Sequence, residues 1–136
     1  MVGLRELPAR MLDRFLRPMP GREAVLVASS ALDEIVGLAQ YVADESGEGC
    51  EVALVICDAW QRQGLGTEML TALVGIASEN AIGYFHADVL ADNYQMRALA
   101  RKVGCDVRTS REAPFVVQIS RSIQSRNPAA DVRDWQ

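Results

Sequence analysis

Gln61-Arg62-Gln63-Gly64-Leu65-Gly66 is the stretch whose residue types and spacing bear most directly on chemistry. It follows an apolar run, Val52 to Ile56, and precedes a helix-patterned run that begins near Thr67. A strand, a glycine-containing turn and a helix N-terminus in that order suit the binding of phosphate oxygens. Glycine lets a backbone approach a ligand closely, and the unpaired N–H groups of a first helical turn, backed by the helix dipole, attract anions. The spacing narrows the choice of ligand. A nucleotide-binding Walker loop needs a Lys after its last glycine and a dinucleotide fingerprint needs GxGxxG; here the glycines stand as Gly64-x-Gly66 with neither continuation. The bland alternative for so short a motif is an ordinary strand-to-helix turn.

The elements that must hold this loop are readable from periodicity. Leu4, Leu7, Met11, Leu12, Phe15 and Leu16 recur at helical spacing, which predicts an amphipathic helix over 4–17 with Pro8 in its first turn. After the turn-rich Pro18-Met19-Pro20-Gly21 come apolar runs at 24–28, 34–42 and 51–57, separated by short polar breaks, and these predict an antiparallel meander. Leu70, Leu73, Val74 and Ala77 place one buried face on a helix over 67–80, with Asn80 as its stop. A strand is expected over 84–90. Asn93 is an N-cap type, Met96, Leu99, Ala100 and Val103 form an apolar stripe, and Gly104 supplies a left-handed stop, so a second helix is expected over 93–103. A short strand near 106–108 and a last one over 114–119 complete an α+β fold with a central sheet of mixed, mostly antiparallel direction flanked by helices.

Composition sets the outer bounds. A chain of 136 residues is one domain's worth, here 1–120, followed by a polar tail over 121–136. A formal net charge of −4 argues against nucleic acid or an anionic membrane as partner and mildly favours cationic substrates. There is no apolar run of spanning length and no signal-peptide pattern, so a cytoplasmic location is expected. Cys50, Cys57 and Cys105 are scattered and the chain has a single histidine, His86, which is too sparse a set for a metal cluster. No metal is expected, and His86 reads most simply as a structural histidine.

Two segments together resemble a known family. Gln61-x-x-Gly64-x-Gly66 is similar to the pyrophosphate loop, Q/R-x-x-G-x-G/A, of the GCN5-related N-acetyltransferases (GNAT). Asn93-x-x-Met96-x-x-Leu99-x-x-Lys102-x-Gly104 resembles the N-x-x-[AM]-x-x-L-x-x-K-x-G-F segment that follows the fifth strand in that family. The runs 22–28 and 51–56 further resemble the acetyltransferase domain of bacterial Gcn5-like protein lysine acetyltransferases. The resemblance implies acetyl-coenzyme A as co-substrate. Its pantetheine arm would meet backbone groups of Val55, Ile56 and Cys57 where the central strand splays from its neighbour. Its pyrophosphate would meet Gln61, Arg62, Gln63, Gly64, Leu65, Gly66 and Thr67, with Asn93 and Met96 near the pantetheine.

The resemblance also implies transfer of an acetyl group by direct attack of an amine, either a small molecule or a protein lysine. An ammonium must first lose a proton, and a carboxylate serves as base. The subgroup carries a glutamate at the start of its central strand, which makes Glu51 the expected catalytic base, with Asp88 in reserve. Two departures stand beside this. Ala100 occupies the position where many members carry a tyrosine that protonates the leaving thiolate, and Tyr94 is a turn away from it. The family's first strand and first helix are apparently missing, which implies an open acceptor groove, a site completed by a second copy in a homodimer, or a truncated start. Both departures favour the alternative of a non-catalytic acyl-coenzyme A binding or regulatory module.

Overall fold

In the computed structural model, which describes residues 3–6 and 22–123, apolar residues of the strands and helices gather into two core clusters. Seven strands form one sheet in the order β1-β2-β3-β4-β5-β7-β6. They are β1 (Gly3–Glu6), β2 (Glu23–Ser29), β3 (Ile35–Ala43), β4 (Gly49–Ile56), β5 (Tyr84–Leu90), β6 (Asp106–Thr109) and β7 (Val116–Ser122). Two helices, α1 (Leu65–Glu79) and α2 (Tyr94–Lys102), follow β4 and β5. β2, β3 and β4 are the expected meander, paired antiparallel along their length. β4 and β5 are the one parallel pair, as a strand-helix-strand unit requires.

The helix expected over 4–17 does not begin at Leu4. Residues 3–6 are instead an edge strand antiparallel to β2, because extended backbone there satisfies the open N–H and C=O row of β2. The rest of that expected helix lies outside the described residues, as does the tail beyond Ile123. β7 runs on to Ser122, two residues past the boundary expected at 120. Among the described residues no helix is long and apolar enough to cross a membrane.

Register decides which side chains meet the helices. In β4 the even positions Cys50, Val52, Leu54 and Ile56 share a face with Ala39 and Tyr41 of β3 and with Ala24, Leu26 and Ala28 of β2. This face packs on Met69, Leu70, Leu73 and Ala77 of α1. The helical spacing of those four residues is what turns them to one side. Gly37 lets α1 come close, since a Cβ there would lie 2.7 Å from the Met69 sulfur. α2 covers the same face further along, where Ala100 is enclosed with Val89, Val117 and Ile119. The odd positions of β4, Glu51, Ala53 and Val55, point to the opposite face and are exposed.

Cys50 is fully buried on the α1 face, and burial, together with the Asp44 carboxylate, pushes its thiol up to about 12. Below its ordinary value of 9.0 both folded and unfolded chains keep the proton. Between about pH 9 and 12 the unfolded chain gives it up and the folded chain does not, so stability falls as pH rises. This one group should contribute up to about 1.4 kcal/mol of loss per pH unit in that window. Urea denaturation across it should therefore show a shallower alkaline decline for Cys50→Ala than for the wild-type chain.

Candidate active site

β4 and β5 are paired only over Gly49–Glu51 against Tyr84–His86; beyond Glu51 no pairing links them. Each strand remains fully paired on its other side, β4 with β3 and β5 with β7, so the sheet is split along one seam and intact around it. The alternation of an antiparallel ladder fixes which backbone groups face the split. Asp44 N–H donates to the Gly49 carbonyl and Cys57 N–H to the Val36 carbonyl, so the odd residues of β4 turn their N–H and C=O toward β3. Leu54 and Ile56 therefore present theirs to the split, while Val55 and Cys57 do not. Val55 and Cys57, expected to offer backbone groups to an extended ligand, bond to β3 instead, whereas Ile56 and Leu54 turn theirs to the split. On the facing lip, Ile123 N–H donates to the Gly83 carbonyl and Ala91 N–H to the Phe115 carbonyl. The odd residues of β5 thus serve β7, and Asp88 and Leu90 face the gap.

The loop after β4 is tied down by side chains. Gln61 donates from Nε2 to the Ile56 carbonyl at 2.9 Å and to Asp58 Oδ1 at 3.2 Å, closing the turn that carries the chain from strand to helix. Gln63 Nε2 reaches the Ala59 carbonyl at 3.1 Å. Gln61 and Gln63 thus shape the loop with their side chains. Arg62 and Gly64 adopt positive φ, 63° and 84°, so the backbone coils tightly before α1 begins. Gly64 is the cap residue of α1 and has no side chain to bond the first turn. The first helical bond runs from Glu68 N–H to the Gly64 carbonyl. Among the described residues the N–H groups from Arg62 to Thr67 have no backbone acceptor, which makes a cluster of donors at a positive helix end.

These donors border a groove of about 640 Å³ that also takes in Leu54, Asn93, Met96 and Leu99. Gly66 sits at its floor: a Cβ there would lie 3.2 Å from both Ile56 Cδ1 and Leu99 Cδ2. Arg62 and Lys102 supply cations at its walls, and neither forms an ion pair among the described residues. Asn93 caps α2, its Oδ1 accepting from Met96 N–H at 3.2 Å, and this leaves its amide N–H₂ for a ligand. Cys57, Gln63 and Leu65 are not among the groove's walls, and Leu65 is buried in the core instead. Sequence reasoning missed Leu54, Gln95, Leu99 and Lys102 as groove residues. The signal was present, since 95, 99 and 102 share a helical stripe with Asn93 and Met96.

Glu51 stands apart from the groove, at the point where the seam opens and on the exposed face away from the helices. Three to five residues of extended chain separate it from Leu54 and Ile56, roughly 10 to 17 Å. An extended ligand running between the strands from the loop would end beside it. Its lateral neighbour is His86, whose Nε2 lies 3.0 and 3.2 Å from the Asp44 carboxylate oxygens. Tyr84 donates its hydroxyl to the same carboxylate at 3.3 Å; desolvation first, and then this hydrogen bond, raise the phenol above its ordinary 10.0. Asp88, on the same face of β5 two residues beyond His86, is exposed. Ala100 is fully buried and its position offers no hydroxyl. No group of histidine, cysteine and acidic side chains able to hold a metal occurs among the described residues.

Residues 5–106 match the acetyltransferase (GNAT) domain family. The GNAT domain of Streptomyces lividans PAT superposes with a TM-score of 0.72 at 25% identity, over 85% of this chain and 69% of that one. A cAMP-binding acyltransferase from Mycobacterium smegmatis gives 0.71 at 24% identity, over 88% of this chain and 43% of that one. A GNAT-family acetyltransferase from Streptococcus pneumoniae gives 0.71 at 16% identity, over 90% and 99% of the two chains, a likeness of fold. Among curated sequences no relative matches.

The loop geometry generates a direct test. Gln61→Ala removes the tie to the Ile56 carbonyl, and Gly66→Val places methyl groups where Ile56 and Leu99 already stand. Both should weaken binding of acetyl-coenzyme A by tenfold or more in isothermal titration, while far-ultraviolet circular dichroism stays that of the wild type.

Proposed function

This chain belongs to the GNAT family of acetyltransferases, whose members use acyl-coenzyme A as co-substrate, and from that premise we propose that it is an acetyl-coenzyme A dependent N-acetyltransferase acting on a primary amine. The observation that carries the reading is the seam between β4 and β5, which joins a cluster of free N–H donors at one end to a carboxylate at the other.

The residues fit the co-substrate. The N–H groups from Arg62 to Thr67, with the Thr67 hydroxyl and the Arg62 and Lys102 cations, would hold pyrophosphate oxygens. Leu54 and Ile56 would pair with the amides of an extended arm as a further strand does. Bound there, the co-substrate supplies an activated thioester carbonyl. Leu54, Ile56, Met96 and Leu99 enclose the arm and exclude water from it. Glu51 takes the proton of the incoming ammonium, directly or through one water, so that a neutral amine attacks. The thiolate leaving group has an ordinary thiol's basicity and takes a proton from solvent, since Ala100 offers none.

The acceptor is reached from the exposed face. Glu51, Ala53 and Val55 lie open there, and the acidic side chains Asp44, Glu48 and Asp88 surround the seam. An open, acidic approach favours a protein lysine over a small amine that needs an enclosing pocket, in a cytoplasmic setting. Ala100 favours one second reading, a binding module without turnover.

Acetyl-coenzyme A at a hundredfold excess over its Kd should stabilise the fold by about 2.7 kcal/mol, read as a rise in Tm. Release of free thiol over a panel of amines and lysine peptides separates enzyme from binding module. Glu51→Gln should keep the thermal shift and lower kcat by about two to four powers of ten. Unchanged kcat in that variant would remove Glu51 from the role.

A further inference from the structure

His86 is the chain's sole histidine, and its surroundings are more organised than a structural histidine on a half-exposed strand requires. Asp44 reaches it from the far side of β4. By register Asp44 lies against Gly49, and Gly49 against Tyr84, so the carboxylate must cross β4 to reach β5. It can do so because Gly49 has no side chain: a Cβ there would sit 2.3 to 2.7 Å from the Tyr84 ring. The Asp44 carboxylate is acceptor-only, so the Nε2 that it binds carries the proton, and in the neutral ring Nδ1 is left with its lone pair. No described residue donates to that Nδ1. The next side chain along the same face, directly opposite in the parallel pair, is Glu51.

We propose that His86 is a positioning and relay residue of this reaction, the second station on the path by which the acceptor's proton leaves Glu51. The inference rests on the role given to Glu51 above. In the first transfer an N–H bond of the ammonium breaks and an O–H bond forms on Glu51. In the second that O–H bond breaks and an N–H bond forms at His86 Nδ1, giving an imidazolium whose Nε2–H remains on Asp44. The Nδ1 proton then passes to water, which His86 meets with about a quarter of its surface. Glu51 is thereby returned to its carboxylate form while the neutral amine attacks. The arrangement follows the logic of an acid that orients a histidine and stabilises its charged form. The charged and titratable groups around the ring are Asp44 and Glu48 from the β3–β4 turn, Glu51 from β4, and Tyr84 and Asp88 from β5. On β7 its partner Ser120 is uncharged, with Asp106 of β6 beyond.

The test uses the full chain, acetyl-coenzyme A and the most active lysine peptide. His86→Gln and Asp44→Asn should each lower kcat ten- to hundredfold with the Kd for acetyl-coenzyme A unchanged. They should also alter the pH profile of kcat, and added imidazole should restore turnover to His86→Gln but not to Glu51→Gln. Independently of turnover, ¹⁵N spectra of the single imidazole should show Nε2 protonated and Nδ1 bare in the neutral ring, and Asp44→Asn should erode that preference. Wild-type kcat and pH profile in His86→Gln, or an Nδ1–H tautomer in the wild-type protein, would overturn the relay. Absence of thiol release from the wild-type chain with the expected tautomer intact would instead count against the enzymatic reading on which it rests.

Discussion

The parting of β4 from β5 after the Glu51–His86 pair is the constraint from which the rest of this molecule follows. A sheet interior ordinarily satisfies its backbone on both sides, and an unpaired N–H or C=O in that position is costly unless something else meets it. Here the chain meets part of the demand itself, through the Gln61 amide on the Ile56 carbonyl, and leaves the rest open to a ligand that can behave as a strand. The same parting makes room for the start of α1, which packs where Ile56 and Leu99 close around Gly66. Loop, groove and seam are therefore one feature seen at three points.

The two faces of the sheet divide the work. Both described helices lie on one face and bury it, so that this side supplies stability and the walls of the groove. The other face, over β4 and β5, carries the acid, the histidine and the tyrosine in the open. Alternation along β4 enforces the division without any further device: even residues hold the core and face their amides to the seam, and odd residues face the exposed side and bond to β3. In the proposed reaction, a ligand threaded between the strands would be held on one side of β4 and used on the other.

Much of this was legible in the residues. The meander followed from apolar runs separated by short polar breaks, and α1 and α2 from the helical spacing of Leu70, Leu73 and Ala77 and of Met96, Leu99 and Ala100. The loop was legible because glycine spacing has few physical uses. What was not legible was the direction of backbone groups. Val55 and Ile56 look alike in sequence, and only the register with β3 shows that one faces a neighbour and the other the split. The Asp44–His86 contact was hidden for a similar reason: 42 residues separate the two, and the bridge between them passes over a glycine that reads as a turn. The strand at 3–6 was hidden by apolar residues whose spacing also suits a helix.

Because the character of β4 rests on parity, its length matters more than the identity of most of its side chains. Substitution of one aliphatic residue for another at Val52 or Leu54 leaves every group facing as before. A single residue inserted or removed between Gly49 and Ile56 would turn each downstream side chain to the opposite face and exchange the amides offered to β3 with those offered to the seam. The loop end and the acid end would then sit on opposite sides of the sheet from their partners, with all the same chemical groups still present. The strand behaves as a ruler with two scales, and drift in sequence is tolerated on it where drift in count is not.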